Sequence, residues 1–154
     1  MSWPLECTIN GSSVTRDVPE DCTLLTFLRE HLSLTGSKGA CLEGECGSCT
    51  VLLDGQPVCS CLVLAAQVHG CTVTTIEGLA DGDRLSKAQE AFIATGAAQC
   101  GYCTPGLIVA AQPLADQATA ATERELCVAI EANICRCTGY NSIREALSRV
   151  ASSE

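Results

Sequence analysis

The chain has 154 residues and a formal net charge of −9, with nine Lys and Arg against eighteen Asp and Glu. A nucleic-acid-binding surface needs clustered basic side chains, so this charge argues against a nucleic acid partner. No apolar stretch reaches the ~20 residues needed to cross a bilayer. Only 3% of the residues are aromatic, which leaves few large side chains to fill a core.

Two hairpins are predicted in the first half of the chain. Asn10-Gly11 and Asp54-Gly55 separate short runs of strand-forming residues, and Asn-Gly and Asp-Gly are strong signals for two-residue turns. Residues 71–76 alternate with period two and are predicted to form a last strand. We expect these strands to make a small mixed sheet around one helix.

That helix is predicted shortly after the first hairpin. Asp21 or Thr23 could cap its N-terminus, because both residue types accept hydrogen bonds from the first turn. The predicted apolar face consists of Leu24, Phe27, Leu28 and Leu32.

The polar, glycine-bearing residues 78–83 are the predicted domain boundary, and the signals after it are helical. Thr104 is expected to cap a helix with Pro105 at its first position, and Pro113 should end or kink that helix. Three capping boxes predict the other helix starts: Ser86 with Gln89, Thr122 with Glu125, and Ser142 with Glu145. Four short helices predict a small bundle.

The thirteen cysteines are the most informative feature of the composition. Their number is odd, the first eight residues lack a basic and apolar signal-peptide pattern, and the cysteines occur at short spacings. These observations favour metal ligands over a disulfide scaffold. We therefore expect a cytoplasmic protein.

The first cysteine motif is Cys41, Cys46 and Cys49 in the pattern C-x4-C-x2-C. This is the spacing of plant-type [2Fe–2S] ferredoxins. Cys61 is the predicted fourth ligand, although Cys59 competes for that place. A structural zinc site also takes four cysteines, but its ligands favour two short knuckles over one long glycine-rich loop.

The second motif pairs the C-x2-C of Cys100 and Cys103 with the C-x-C of Cys135 and Cys137. Both segments are predicted to lie in turns between helices, so they could close on one cluster at the end of the bundle. Zinc remains an alternative for this motif taken alone. Two one-electron centres with no recognisable catalytic set of side chains indicate electron relay.

These motifs and their flanking residues resemble the small iron–sulfur subunit of the molybdenum hydroxylases, the xanthine oxidase, aldehyde oxidase and carbon monoxide dehydrogenase group. The similar segments are 35–51, 54–55, 60–61, 75–79, 99–106 and 133–140, within a match that runs from about Leu5 to Val150.

The resemblance implies an α+β protein with two domains. Residues 1–77 would form a β-grasp, ferredoxin-like [2Fe–2S] domain, and residues 78–154 a four-helix-bundle [2Fe–2S] domain with internal two-fold symmetry. It also implies a large subunit with molybdopterin and a medium subunit with FAD, in a heterotrimer or its dimer. The chain would be part of an oxidoreductase but not catalytic alone.

The resemblance further implies which residues hold the cofactors. The cluster nearer the flavin would be bound by Cys41, Cys46, Cys49 and Cys61, and the cluster nearer the molybdopterin by Cys100, Cys103, Cys135 and Cys137. Gln99 would hydrogen-bond the pterin of the large subunit, and Cys137 would lie close to it on the electron path.

Overall fold

The computed structural model describes residues 2–117 and 121–152. Within these residues all five strands lie in the first half of the chain and the four longest helices lie in the second half, which is the predicted α+β composition. The strands are β1 (Ser2–Ile9), β2 (Ser12–Pro19), β3 (Thr50–Leu53), β4 (Gln56–Cys59) and β5 (Thr72–Thr74). The helices are α1 (Leu24–Thr26), α2 (Lys87–Ala94), α3 (Thr104–Ala115), α4 (Glu123–Ala129) and α5 (Asn141–Ala151).

The five strands form one mixed sheet in the order β2-β1-β5-β3-β4. β1 and β5 are parallel, and the other neighbouring strands are antiparallel. Both predicted hairpins are confirmed, since Asn10 and Gly11 have φ angles of 49° and 78°, and Asp54 and Gly55 have 48° and 80°. Positive φ at both central residues defines the turn whose twist matches that of the strands.

One helical segment packs against the sheet, as predicted. Thr23 rather than Asp21 caps α1, and its hydroxyl accepts a hydrogen bond from the N–H of Thr26 at 3.1 Å. The segment continues as a π-helical turn over Phe27–His31. The predicted apolar face is confirmed, with three fully buried residues and one partly buried: Leu24, Phe27, Leu28 and Leu32.

The last predicted strand is shorter than residues 71–76, because side-chain hydrogen bonds replace the strand ladder after Thr74. The N–H of Thr75 donates to Asn10 Oδ1, and Asn10 Nδ2 donates to Thr75 Oγ1, both at 2.9 Å. Thr75 Oγ1 donates to one carboxylate oxygen of Glu77 at 2.6 Å, and the other accepts from the N–H of Gly36 at 2.7 Å. This network ties the start of the first cysteine loop to the sheet.

The four helices α2 to α5 share one hydrophobic core. Each contributes a nearly inaccessible large side chain: Phe92, Leu107, Leu126 and Leu147. The internal symmetry of a four-helix bundle and the division at residues 77 and 78 stay predictions. Within the described residues, none of the helices combines the length and the apolar composition that a bilayer-spanning segment requires.

Two of the three predicted capping boxes are confirmed. Ser86 caps α2, and Gln89 bonds back to the Ser86 N–H at 2.8 Å. Thr122 caps α4, and Glu125 bonds back to the Thr122 N–H at 2.7 Å.

The prediction for the start of α3 is wrong by one residue. Thr104 is already helical, Cys103 is the N-cap, and the buried Thr104 hydroxyl has no hydrogen-bond partner. Pro113 does not end the helix at the preceding residue, since α3 continues to Ala115. The helix is buried over most of its length. This packing offsets the loss of the one backbone hydrogen bond that Pro113 cannot donate.

The third capping box is a wrong prediction. α5 begins at Asn141 after Tyr140, which has a left-handed φ of 67°, and no side chain caps this helix. The Tyr140 hydroxyl accepts a hydrogen bond from the N–H of Cys135 in the second cysteine site, and this contact overrides the capping signal of Ser142 and Glu145.

The difference between Thr122, which caps a helix, and Ser142, which does not, can be tested with two matched variants. We expect Thr122→Ala to lower the free energy of unfolding by about 0.5–2 kcal/mol, because it removes an N-cap side chain. Ser142→Ala should change it by no more than about 0.5 kcal/mol, because Ser142 caps nothing. Urea unfolding of the cluster-loaded protein measures both values. An equal loss in the two variants would contradict the assignment of the caps.

Candidate metal centres

Three of the predicted ligands lie on one loop, residues 36–49, between the π-helical turn and β3. The N–H of Lys38 donates to the carbonyl of Ser48 at 2.9 Å and closes the ends of the loop. Gly44 and Gly47 have φ of 79° and 67°, which only glycine adopts without strain. The loop therefore curls back on itself, and it carries three of the predicted ligands: Cys41, Cys46 and Cys49.

Backbone N–H groups of this loop point at the sulfur of Cys41. Those of Glu43 and Cys46 each donate to Cys41 Sγ at 3.4 Å. These hydrogen bonds, first that of Glu43, lower the pKa of Cys41 from 9.0 to about 6. The loop thus favours the thiolate, which is the form that binds metal.

Cys61 reaches the loop from the turn after β4, as predicted. Both the N–H and the hydroxyl of Ser60 donate to the carbonyl of Cys49, at 3.3 and 2.7 Å. Cys49 and Cys61 are buried together, with Cys59 packed against them. Burial and the neighbouring Cys49 raise the pKa of Cys61 to about 11, so its proton leaves only when a metal takes its place.

The second cysteine site lies where the chain enters α3 and α5. Cys100 and Cys103 precede α3, and Cys135 and Cys137 precede α5. The sulfurs of Cys100 and Cys137 are 3.6 Å apart. Cys103 contacts Cys135 in the interior, where burial raises the pKa of Cys103 to about 12.

Tyr140 and Thr138 shape the C-x-C segment. The Tyr140 hydroxyl accepts from the N–H of Cys135 at 2.8 Å and donates to the carbonyl of Asn133 at 3.0 Å. Burial alone would raise the pKa of Cys135, but hydrogen bonds from the Thr138 hydroxyl and N–H lower it to about 7. The cysteine spacing did not reveal these two residues, although both lie within five positions of Cys135.

The eight predicted ligands contact one another in pairs. In the part of the chain that the structure describes, no three His, Cys, Asp or Glu side chains are grouped to hold one metal ion. A [2Fe–2S] cluster is bound by four cysteines, two on each iron, and two thiol pairs per site fit this requirement. The pairs are Cys41 with Cys46, Cys49 with Cys61, Cys100 with Cys137, and Cys103 with Cys135.

One edge of the second site is open to solvent. Cys100 and Cys137 are exposed, as is the neighbouring Gln99, whereas Cys103 and Cys135 are buried. The structure therefore places the two predicted pterin-contacting residues, Gln99 and Cys137, on the same accessible side.

The two cysteine sites touch through backbone hydrogen bonds. The N–H of Ile134 donates to the carbonyl of Cys46 at 3.0 Å, and Ile134 immediately precedes Cys135. The hydroxyl of Tyr102 donates to the carbonyl of Gly39 at 2.6 Å. Sequence reasoning did not assign a role to Tyr102, which stands inside the C-x2-C motif.

A close backbone approach supports this junction. Asn133 is 4% exposed, and its Nδ2 donates to the carbonyl of Gly47 at 3.0 Å. A side chain at Gly106, in the first turn of α3, would collide with the same carbonyl. Glycine at position 106 is therefore required for the helical half to reach the first loop.

Comparison with known proteins identifies the cofactor. A family model for a 2Fe-2S iron–sulfur cluster binding domain matches residues 7–90, and a model for a [2Fe-2S] binding domain matches residues 75–148. The nicotinate dehydrogenase small FeS subunit of Eubacterium barkeri is 43% identical over 143 residues, which are 93% of this chain and 91% of that protein. The chain belongs to the small iron–sulfur subunits of the molybdenum hydroxylases.

Solved structures agree with this membership. Quinoline 2-oxidoreductase from Pseudomonas putida 86 matches with a TM-score of 0.91 and 40% identity over 97% of this chain and 94% of that chain. The aldehyde oxidoreductase from Desulfovibrio desulfuricans ATCC 27774 matches with a TM-score of 0.90 and 39% identity. The match covers 96% of this chain but 17% of that one, so in that enzyme the same fold is part of a much longer polypeptide.

The predicted resemblance and the predicted [2Fe–2S] cofactors are confirmed. As an iron–sulfur subunit of this family, the chain combines a ferredoxin-like domain with a second [2Fe–2S]-binding domain. Its membership also confirms that it is a component of an oxidoreductase.

Proposed function

We propose that this chain relays electrons from a molybdopterin centre in a large subunit to FAD in a medium subunit. Electrons would pass first through the cluster of the helical domain and then through that of the β-grasp domain. The observation that carries the proposal is the hydrogen bond between Ile134 and Cys46, which joins the two cysteine sites directly.

The eight paired cysteines are the proposed cluster ligands. Cys41, Cys46, Cys49 and Cys61 would hold the first cluster, and Cys100, Cys103, Cys135 and Cys137 the second. When bound, the clusters supply reversible one-electron chemistry. The protein's own groups orient the thiolates, donate hydrogen bonds to them and exclude water from the buried pairs.

A short bonded route connects the two sets of ligands. It runs from the sulfur of Cys46 through its carbonyl and across one hydrogen bond to the N–H of Ile134. From there it follows one peptide unit to Cys135 and its sulfur. Both ends of the route are proposed ligands, so no side chain has to move for an electron to cross.

The exposed residues at each cysteine site support the proposed direction of electron transfer. The second site presents Gln99 and Cys137 to solvent, which supports the proposed contact with the pterin of the large subunit. Beside the first site, Leu42 and Leu62 are each 61% exposed. Exposed apolar side chains next to a redox centre support a partner surface there, which we assign to the FAD subunit.

We also propose a heterotrimer of large, medium and small subunits, or its dimer, located in the cytoplasm. No disulfide joins any of the thirteen cysteines, all of which lie in the described residues, and this supports a reducing compartment. Purification of the complex tests the proposal: two larger chains should accompany this one, and reduction should yield two distinct electron paramagnetic resonance (EPR) signals. A lone chain with full iron content would instead indicate a free ferredoxin-like shuttle.

The Gln99 contact makes a separate prediction. Gln99→Ala should weaken association with the large subunit by about 2- to 12-fold, because a net hydrogen bond contributes about 0.5–1.5 kcal/mol. Iron content should stay unchanged, because Gln99 is not a ligand. Gln56→Ala, which alters an exposed glutamine on β4, is the matched control. Equal binding of the two variants in a titration against the large subunit would contradict the pterin contact.

A further inference from the structure

The first cysteine site contains five thiols for four ligand places. Cys59, the last residue of β4, is partly buried and packs against the cluster of Leu25, Cys49 and Cys61. The pairing of Cys59 with Thr50 across β3 and β4 fixes its backbone beside the loop. Cys59 is therefore held next to the proposed cluster by the sheet itself.

Cys59 and Cys61 share the same neighbours. Each makes a side-chain contact with the sulfur of Cys49. The thiol of Cys59 donates to the carbonyl of Gly44 at 3.5 Å, and the backbone of Gly44 also lies beside the sulfur of Cys61. The two thiols thus lie beside the same loop residue, Gly44, and face the same partner, Cys49.

We propose that Cys59 is a reserve ligand of the first cluster. When Cys61 is removed, the Cys59 thiol releases its proton to solvent and its sulfur binds the iron that Cys61 would have held. One thiolate replaces another, so the charge of the cluster and its ligands is unchanged and no redox step is involved. In the intact protein the side chain of Cys59 keeps its hydrogen bond to the carbonyl of Gly44 and does not bind the cluster. This inference rests on the ligand set proposed above.

The geometry limits the replacement to Cys61. Cys59 lies against Cys49 rather than in the pair formed by Cys41 and Cys46. Cys59 and Cys61 are separated by one residue and both lie against Cys49, so rotation of the Cys59 side chain at the end of β4 brings its sulfur to the vacated iron. Of the other four cysteines outside the ligand set, none packs against this group of residues.

Four variants of the full-length chain, purified with its partner subunits, test the inference. They are Cys59→Ala, Cys61→Ala, the double variant of both, and Cys61→Ala combined with Cys71→Ala as the matched control. Alanine is used because a serine oxygen could itself bind iron. Iron and acid-labile sulfide are counted per chain, and EPR of the reduced protein distinguishes the two clusters.

We expect about four irons per chain in Cys59→Ala, in Cys61→Ala and in the control, and about two in the Cys59/Cys61 double variant. Cys61→Ala should also show an altered signal from the first cluster only. A fall to two irons in Cys61→Ala alone would overturn the inference, as would a fall in Cys59→Ala alone.

An error in the proposed ligand set itself would give a different result. Retention of four irons in the double variant would mean that neither cysteine is a ligand, which contradicts the proposed function and not merely the reserve role. The signal of the second cluster reports folding, so counts are compared only among proteins that retain it. Cys61→Gly is made in parallel and replaces Cys61→Ala, alone or in combination, wherever that variant does not accumulate.

Discussion

Cys103→Ala is expected to remove about half of the iron, leaving about two atoms of four per chain. Cys103 forms the buried pair of the second site with Cys135, and the cysteines beside this pair, Cys100 and Cys137, are already proposed ligands of the same cluster. The iron that this pair binds would keep only one thiolate, so the second cluster would be lost. Because the first site draws its ligands from the other half of the chain, its cluster should remain.

The corresponding substitution in the first site should remove the first cluster instead of the second. Cys41→Ala removes the thiolate that receives the backbone hydrogen bonds of the first loop, so the first cluster should be lost and the second retained. Iron analysis gives the number of irons per chain, and EPR of the reduced protein shows which cluster signal disappears. Cys127→Ala, which alters a partly buried cysteine of α4, should keep all the iron.

Two outcomes would contradict this assignment. Loss of all iron from either single change would mean that the two sites are not independent, despite their separate ligand pairs. Retention of four irons in Cys103→Ala would mean that Cys103 is not a ligand. About one zinc per site in the unaltered protein, with no visible absorption bands, would refute the clusters themselves.

Gly106→Ala is expected to destabilise the protein, although the same change in most helices is stabilising. Alanine is favoured over glycine by about 0.8–1.0 kcal/mol in a helix interior. At position 106, however, the added Cβ would collide with the backbone carbonyl of Gly47. Backbone cannot rotate away as a flexible side chain can, so α3 and the first loop must separate, at a cost of about 1–3 kcal/mol.

The collision at position 106 should also change the spectrum of the first cluster. Gly47 lies between Cys46 and Cys49, so its displacement moves both proposed ligands and weakens the hydrogen bond from Ile134. We expect a lower thermal midpoint together with an altered EPR signal of the first cluster and slower transfer between clusters.

The matched control for this prediction is Gly82→Ala. A Cβ at position 82 meets no atom within 4 Å, but φ is +59°, so alanine costs roughly 1–2 kcal/mol of backbone strain alone. It should lower the thermal midpoint without changing either cluster signal. A stabilised Gly106→Ala variant, or identical spectra for both variants, would contradict the proposed contact between α3 and the loop.

Local chemistry determined much of this structure. Asn10-Gly11 and Asp54-Gly55 predicted their turns, because few other dipeptides adopt positive φ at two successive residues. Ser86 and Thr122 predicted their caps, because a hydroxyl three residues before Gln or Glu satisfies N–H groups within the same turn. The cysteine spacings likewise predicted the two groups of ligands, and the flanking residues identified the family.

Other features depended on the contacts of the second cysteine site and on pairing between strands that are distant in the chain. Ser142 and Glu145 carry a valid capping signal, yet α5 begins elsewhere because Tyr140 is held by the backbone of Cys135. Thr104 does not cap α3, because the adjacent Cys103 is drawn into the second site. The parallel pairing of β1 with β5 joins strands more than sixty residues apart, and no local pattern specifies it.

The amino-acid sequence by itself determined that eight cysteines form two groups, since the spacing within each motif is a local property of the chain. Only the tertiary structure decided how the thiols pair, because Cys100 meets Cys137 across 36 intervening residues and Cys103 meets Cys135 across 31. It also decided that the two sites touch, through Ile134 and Cys46, and that Cys59 lies beside the first. The physical reason is that packing of the two halves, rather than any turn or cap, sets the distances between groups that are remote in sequence.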